Sequence, residues 1–184
     1  MEKLKIVAIV GSLRKGSFNR QLALAAQKAI GDRAEFELLH YADVPFMDQD
    51  IEYPAPEAVR RVREAVKDAD GIWFFTPEYN HFFPGVLKNL IDWLSRPISQ
   101  GERQVLSGKP AAISGISPGM AGTVCAQDHL VMLLSLLNMR VMNLPRLTIP
   151  NATQQLDEQG RLALTSSAPY LEKQANAFLT FISK

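Results

Sequence analysis

The stretch Lys3–Arg20, KLKIVAIVGSLRKGSFNR, constrains the chain more than any other. The β-favouring apolar run Ile6–Val10 breaks at Gly11 into a turn bearing serine, glycine and arginine, after which Phe18, Leu22, Ala25, Ala26 and Ala29 fall on one helical face. Strand, loop and helix follow one another. Where a buried strand ends and a helix begins, unpaired backbone N–H groups and the positive helix end converge, and the joint becomes an anion site. Gly11 and Gly16 permit close backbone approach, while Ser12, Ser17, Asn19, Arg14, Lys15 and Arg20 add donors. The loop reads as a phosphate cradle.

What is missing narrows the phosphate. Gly11 and Gly16 have the glycine spacing of a Walker A loop, but Ser17 stands where its lysine belongs and Phe18 where its magnesium-ligating hydroxyl belongs. Gly11-Ser12-Leu13 also lacks the second glycine of a dinucleotide fingerprint. A compact terminal monophosphate remains.

With 184 residues the chain is expected to form a single domain, residues 1–184, with a substantial core. No stretch is long and apolar enough to span a membrane, and the charged amino end runs into a strand without a signal-peptide pattern, so the expected location is the cytoplasm. One cysteine, Cys125, rules out an intramolecular disulfide framework, and no His, Asp and Glu grouping has metal-ligand spacing, so no metal site is expected. A net charge of +1 provides no broad basic field. Nucleic acid and anionic membrane are therefore poor partners.

Further along, Ala34–His40 predicts a half-polar edge strand, Glu57–Ala69 a helix with Val59, Val62 and Val66 inward, and Gly71–Thr76 a strand buried on both faces. Pro77–Gly85, PEYNHFFPG, is a loop, followed by a helix through Leu87, Leu90, Ile91 and Leu94. Lys109–Ile116 is the next strand, ending in the loop Ser117–Gly122, and Thr123–Asn138 a helix apolar nearly all round. Such a helix lies deep in a core or against a partner. Val141–Ile149 supplies a last strand broken by Pro145, and a closing helix carries Leu171, Ala175, Phe178 and Ile182. Five β/α units predict an α/β fold: a five-stranded parallel sheet with helices on both faces. With strand order 2-1-3-4-5, the loops after Gly11, Pro77 and Ile116 surround one crevice at the carboxyl strand ends. Tyr79, Phe82 and Phe83 would give it aromatic faces suited to a flat amphipathic ring, with backbone N–H groups from Glu78 to His81 at the ring edge.

Three features, GSLRKGSFN at Gly11–Asn19, PEYN at Pro77–Asn80 with PGVLKNLIDWLSR at Pro84–Arg96, and GKP at Gly108–Pro110 leading to Ser117, carry a resemblance that covers essentially the whole chain. On these the sequence resembles the NADPH-dependent FMN reductase family, in particular its bacterial quinone and chromate reductases. The resemblance implies a flavodoxin-like fold and non-covalent FMN. It carries phosphate binding onto Ser12, Leu13, Arg14, Lys15, Gly16, Ser17, Phe18 and Asn19, ring binding onto Pro77, Glu78, Tyr79, Asn80 and His81, and a third ring contact onto Ser117. Some relatives carry tyrosine at the position of His81 and a small residue at that of Phe82, so both positions bear on substrate choice.

The implied activity is two-electron ping-pong hydride transfer. NADPH or NADH reduces the flavin, and a quinone, or chromate, an azo compound or free flavin, takes the electrons; no side chain is assigned as an obligatory acid or base. The competing class is a flavin-binding electron carrier or redox-sensing interaction protein with little nicotinamide turnover, against which the near balance of charge speaks. The resemblance also implies a homodimer or homotetramer with the flavin near a subunit boundary.

Overall fold

The computed structural model describes residues 3–99 and 101–184. Its elements run β1 (Leu4–Val10), α1 (Phe18–Ile30), β2 (Ala34–Leu38), α2 (Glu57–Lys67), β3 (Gly71–Phe75), α3 (Gly85–Leu94), β4 (Pro110–Ile116), α4 (Val124–Leu136), β5 (Arg140–Val141), β6 (Leu147–Ile149) and α5 (Ala168–Ile182). All strand pairs are parallel, in the order β2-β1-β3-β4-β5, with β6 also pairing β4. This is the expected flavodoxin-like sheet. The last strand is the one departure: around Pro145 it divides, so that β5 pairs the start of β4 (Pro110 with Arg140) and β6 its end (Ile116 with Ile149).

Side-chain alternation along buried strands distributes the core between two faces. Val7, Ile9, Ile72, Phe74 and Ile113 pack under α2, α3 and α4 through Val62, Val66, Leu87, Leu90, Leu130 and Leu134. Ile6, Ala8, Trp73, Phe75 and Ala112 pack under α1 and α5 through Leu22, Ala26, Leu171 and Phe178. Three polar side chains inside these layers pair with one another: Trp73 Nε1 donates to Ser114 Oγ (2.8 Å), which donates to Gln174 Oε1 (2.6 Å).

Two ties fix the loops between elements. The segment after β2 is held to α3, whose Asn89 Nδ2 and Trp93 Nε1 both donate to the Pro45 carbonyl at 2.9 Å. Below the sheet, Lys109 Nζ donates to the carbonyls of Lys67 and Ala69 at the carboxyl end of α2, where a cation suits the helix dipole. Burial pushes that ammonium below its ordinary pKa. In α4, Ala126, Leu130 and Leu134 face inward, whereas Met132 and Leu136 are 68% and 81% exposed.

Candidate functional site

Strands β1, β3 and β4 end in step because Gly11 N donates to the Phe75 carbonyl (2.8 Å) and Thr76 N to the Ser114 carbonyl (2.9 Å). Two glycines make this flush ending sterically possible. A Cβ on Gly11 would lie 3.2 Å from Pro77 Cδ and 3.3 Å from Leu87 Cδ2. One on Gly115 would lie 2.0 Å from Thr123 Oγ1 and 2.5 Å from the Thr76 carbonyl oxygen. Gly115 went unmarked in the sequence, although a glycine inside a buried strand is a signal of close backbone approach.

In the first loop, Ser17 caps α1: its hydroxyl oxygen accepts from Arg20 N at 3.2 Å, and the residue is 2% exposed. The N–H groups of Leu13, Lys15, Gly16, Phe18 and Asn19 have no acceptor among the described residues. Arg14 stands with its guanidinium carbon 5.3 Å from the Phe18 ring centroid. Among the described residues no carboxylate forms an ion pair with Arg14, Lys15 or Arg20. Cations and N–H donors without partners make this loop a place where an anion is wanted. On the β2 side it borders a cavity of about 300 Å³ lined by Ser12, Arg14, Lys15, Arg20, His40 and Tyr41. Tyr41 is buried there, its phenol donating to the Val10 carbonyl, and burial pushes its pKa up.

One predicted donor is engaged elsewhere. The Asn19 amide is buried, its Nδ2 donating to the Ile116 carbonyl (2.9 Å) and its Oδ1 accepting from Ile116 N (3.1 Å). It stitches α1 to β4, so only the Asn19 backbone N–H remains for an anion.

The second loop folds back on itself. Tyr79 N and Phe82 N donate to each other's carbonyls at 2.9 and 3.0 Å, and Asn80 and His81 take φ of 53° and 61°. That is a two-residue type I′ turn, for which asparagine is well suited. It takes up the Tyr79 N–H and leaves those of Glu78, Asn80 and His81 free among the described residues. Phe83 is buried beneath the turn, while Tyr79 and Phe82 are half-exposed on it. In the third loop the Ser117 hydroxyl donates to the Gly122 carbonyl, and Ser117 N and O bond to Ile149 O and Ala152 N. Ser117 thus shapes its loop rather than presenting a free hydroxyl. Leu13, Tyr79, Phe82 and Met120 place exposed apolar groups on all three loops.

The carboxylate of Glu78 turns away from this rim to α4, where one oxygen accepts from Ala126 N at 3.0 Å. With it come His81 and Cys125, and the ligand atoms of the three lie within 4.8 Å of one another. The wide sequence separation of Cys125 from the other two hides this grouping in the sequence.

Residues 4–154 match the family described as NADPH-dependent FMN reductase. The chain is 40% identical over 169 residues to a 2-hydroxy-1,4-benzoquinone reductase of Burkholderia sp., covering 92% of this chain and 91% of the relative. To a quinone reductase of Escherichia coli K12 it is 38% identical, covering 100% and 97%. Among solved structures, FerB of Paracoccus denitrificans, a flavoenzyme NAD(P)H:(acceptor) oxidoreductase, superposes with a TM-score of 0.88 at 36% identity, covering 98% of this chain and 97% of FerB. No described helix is long and apolar enough to cross a membrane.

Proposed function

The chain belongs to the NADPH-dependent FMN reductase family, and from that premise we propose that it is an NAD(P)H-dependent oxidoreductase that holds FMN non-covalently and reduces quinone-like acceptors. The observation that carries this is the first loop. Its unpartnered N–H groups and uncompensated Arg14, Lys15 and Arg20 match the double charge of a terminal phosphomonoester such as that of FMN. A neutral loop would have no such demand.

In this proposal Ser12, Leu13, Arg14, Lys15, Gly16, Ser17, Phe18 and Asn19 hold the phosphate, with Asn19 acting through its backbone N–H. Pro77, Glu78, Tyr79, Asn80 and His81 border the ring, and Ser117 sets the third loop against it. Bound FMN supplies a centre that accepts a hydride from a reduced nicotinamide and returns two electrons to an acceptor. The protein's own part is positional. The free N–H groups of Glu78, Asn80 and His81 orient a polar ring edge and stabilise negative charge developing there. Leu13, Tyr79, Phe82 and Met120 exclude water from an apolar face on which nicotinamide and quinone can stack in turn. No side chain is assigned as acid or base.

The finer reading takes NADPH or NADH as reductant and a quinone as principal acceptor, with chromate, azo compounds and free flavin as secondary ones. It places the protein in the cytoplasm, where reduced nicotinamides are found, as a homodimer or homotetramer. The test is anaerobic stopped-flow mixing of the FMN-loaded protein with NADH or NADPH. Rapid loss of the visible flavin band, restored by a benzoquinone, is expected. Bound flavin that neither nucleotide reduces would make the protein an electron carrier or sensor instead, and failure to bind FMN would overturn the cradle itself.

A further inference from the structure

We propose that Glu78, His81 and Cys125 form a three-ligand site for a zinc-class divalent metal ion at the junction of the Pro77–Pro84 loop and α4. Their candidate ligand atoms lie within 4.8 Å of one another, and His81 Nδ1 is 3.5 Å from Glu78 Oε1. A tetrahedral zinc ion with bonds of about 2.0–2.3 Å spaces its ligand atoms roughly 3.3–3.8 Å apart. The cluster therefore needs to contract by about 1 Å at its widest to close on an ion. His81, whose side chain is 81% exposed at the tip of the turn, is free to take part in that closure.

The other two ligands are already set by the fold. Glu78 is held by the hydrogen bond from Ala126 N to Oε2, which leaves Oε1 aimed at His81, and its side chain is only 11% exposed. Such an outer hydrogen bond on a ligating carboxylate is the kind of support metal sites use. Cys125 precedes Ala126 in the first turn of α4, so the residue that steadies the carboxylate also adjoins the thiol. The positive φ of Asn80 and His81 turns the chain back so that the imidazole meets the carboxylate.

A cap for α4 accounts for one oxygen of Glu78 and no more. At 3.5 Å the contact of Oε1 with His81 is too long for a good hydrogen bond, and Oε1 has no donor among the described residues. Nitrogen, sulfur and carboxylate oxygen together suit zinc and its neighbours, whereas magnesium and calcium favour oxygen alone. Three protein ligands leave a fourth position to water, as in open zinc sites. His129 is engaged beside them, its ring 4.3 Å from that of Phe82 and its Nδ1 2.9 Å from the Cys125 carbonyl. An ion at this place pins the tip of the ring-bordering loop to α4.

The test is calorimetric titration of the protein as purified with Zn²⁺, alongside Co²⁺ as a spectroscopic probe. One saturable equivalent is expected, with cobalt d–d absorption at wavelengths beyond the flavin band. Cys125→Ser, His81→Asn and Glu78→Gln are each expected to weaken Zn²⁺ binding at least about tenfold, and Cys125→Ser to shift the cobalt bands to shorter wavelength and weaken them. Glu78→Gln keeps an acceptor for Ala126 N and so separates loss of a ligand from loss of the helix cap. His40→Asn, an exposed histidine away from the cluster, should leave the affinity unchanged. Absence of saturable binding in the wild type, or binding that survives both Cys125→Ser and His81→Asn, would overturn the site. Metal affinity is read without turnover, so its failure leaves the flavin proposal standing.

Discussion

Arg14 illustrates how a side chain can be held without being neutralised. The Phe18 ring supports its guanidinium at 5.3 Å, and a cation–π contact of this kind leaves most of the positive charge available to a ligand. Arg14→Ala should therefore weaken FMN retention by one to two decades, the equivalent of a charge-assisted hydrogen bond of about 1.5–3 kcal/mol. Quenching of flavin fluorescence on titration gives the dissociation constant, and an unchanged value removes Arg14 from the cradle. Asn19 is the opposite case. Its amide satisfies both backbone groups of Ile116 in the core, a role invisible from a motif in which asparagine stands beside serine and arginine. The residue types of the cradle were legible in the sequence; which of their polar atoms were still available was not.

Between elements, the crevice depends on Gly115 as much as on the loops themselves. Because the atoms that its absent Cβ would meet include the Thr76 backbone and a buried threonine, Gly115→Ala forces the ends of β3, β4 and α4 apart. An overpacking cost of about 1–3 kcal/mol follows, seen as a fall in Tm of several degrees and as weaker FMN retention. Gly85→Ala, where nothing lies within 4 Å of the added carbon, should leave both nearly unchanged. Thermal unfolding followed by circular dichroism, run on both variants, distinguishes them. Strands, helices and loop positions could be read from the chain because each is a local pattern of apolar period and turn residues. The ties that join them could not. Asn19 reaches Ile116 across 97 positions and Glu78 reaches Ala126 across 48, distances over which no local periodicity carries information. The division of the last strand into β5 and β6 lies between these cases: Pro145 announced a break, but both halves returning to β4 is a property of the sheet.

At the scale of the molecule, α4 presents Met132 and Leu136 to solvent although its opposite face is already buried in the core. An apolar surface of that kind calls for cover. Sedimentation velocity at micromolar concentration should give a dimer or tetramer, and Leu136→Lys should shift the distribution toward smaller species; a monomeric wild type would count against the assembly. Where such contacts form is limited by the outer strands. On one side β2 is short and carries exposed Glu35 and Glu37. On the other the border is cut into pieces of two and three residues. Carboxylates guard the first margin and the break interrupts the second, so a second chain finds little on either side onto which to dock as a further strand. Both margins therefore work against copies of this protein joining sheet to sheet through their backbones at high concentration.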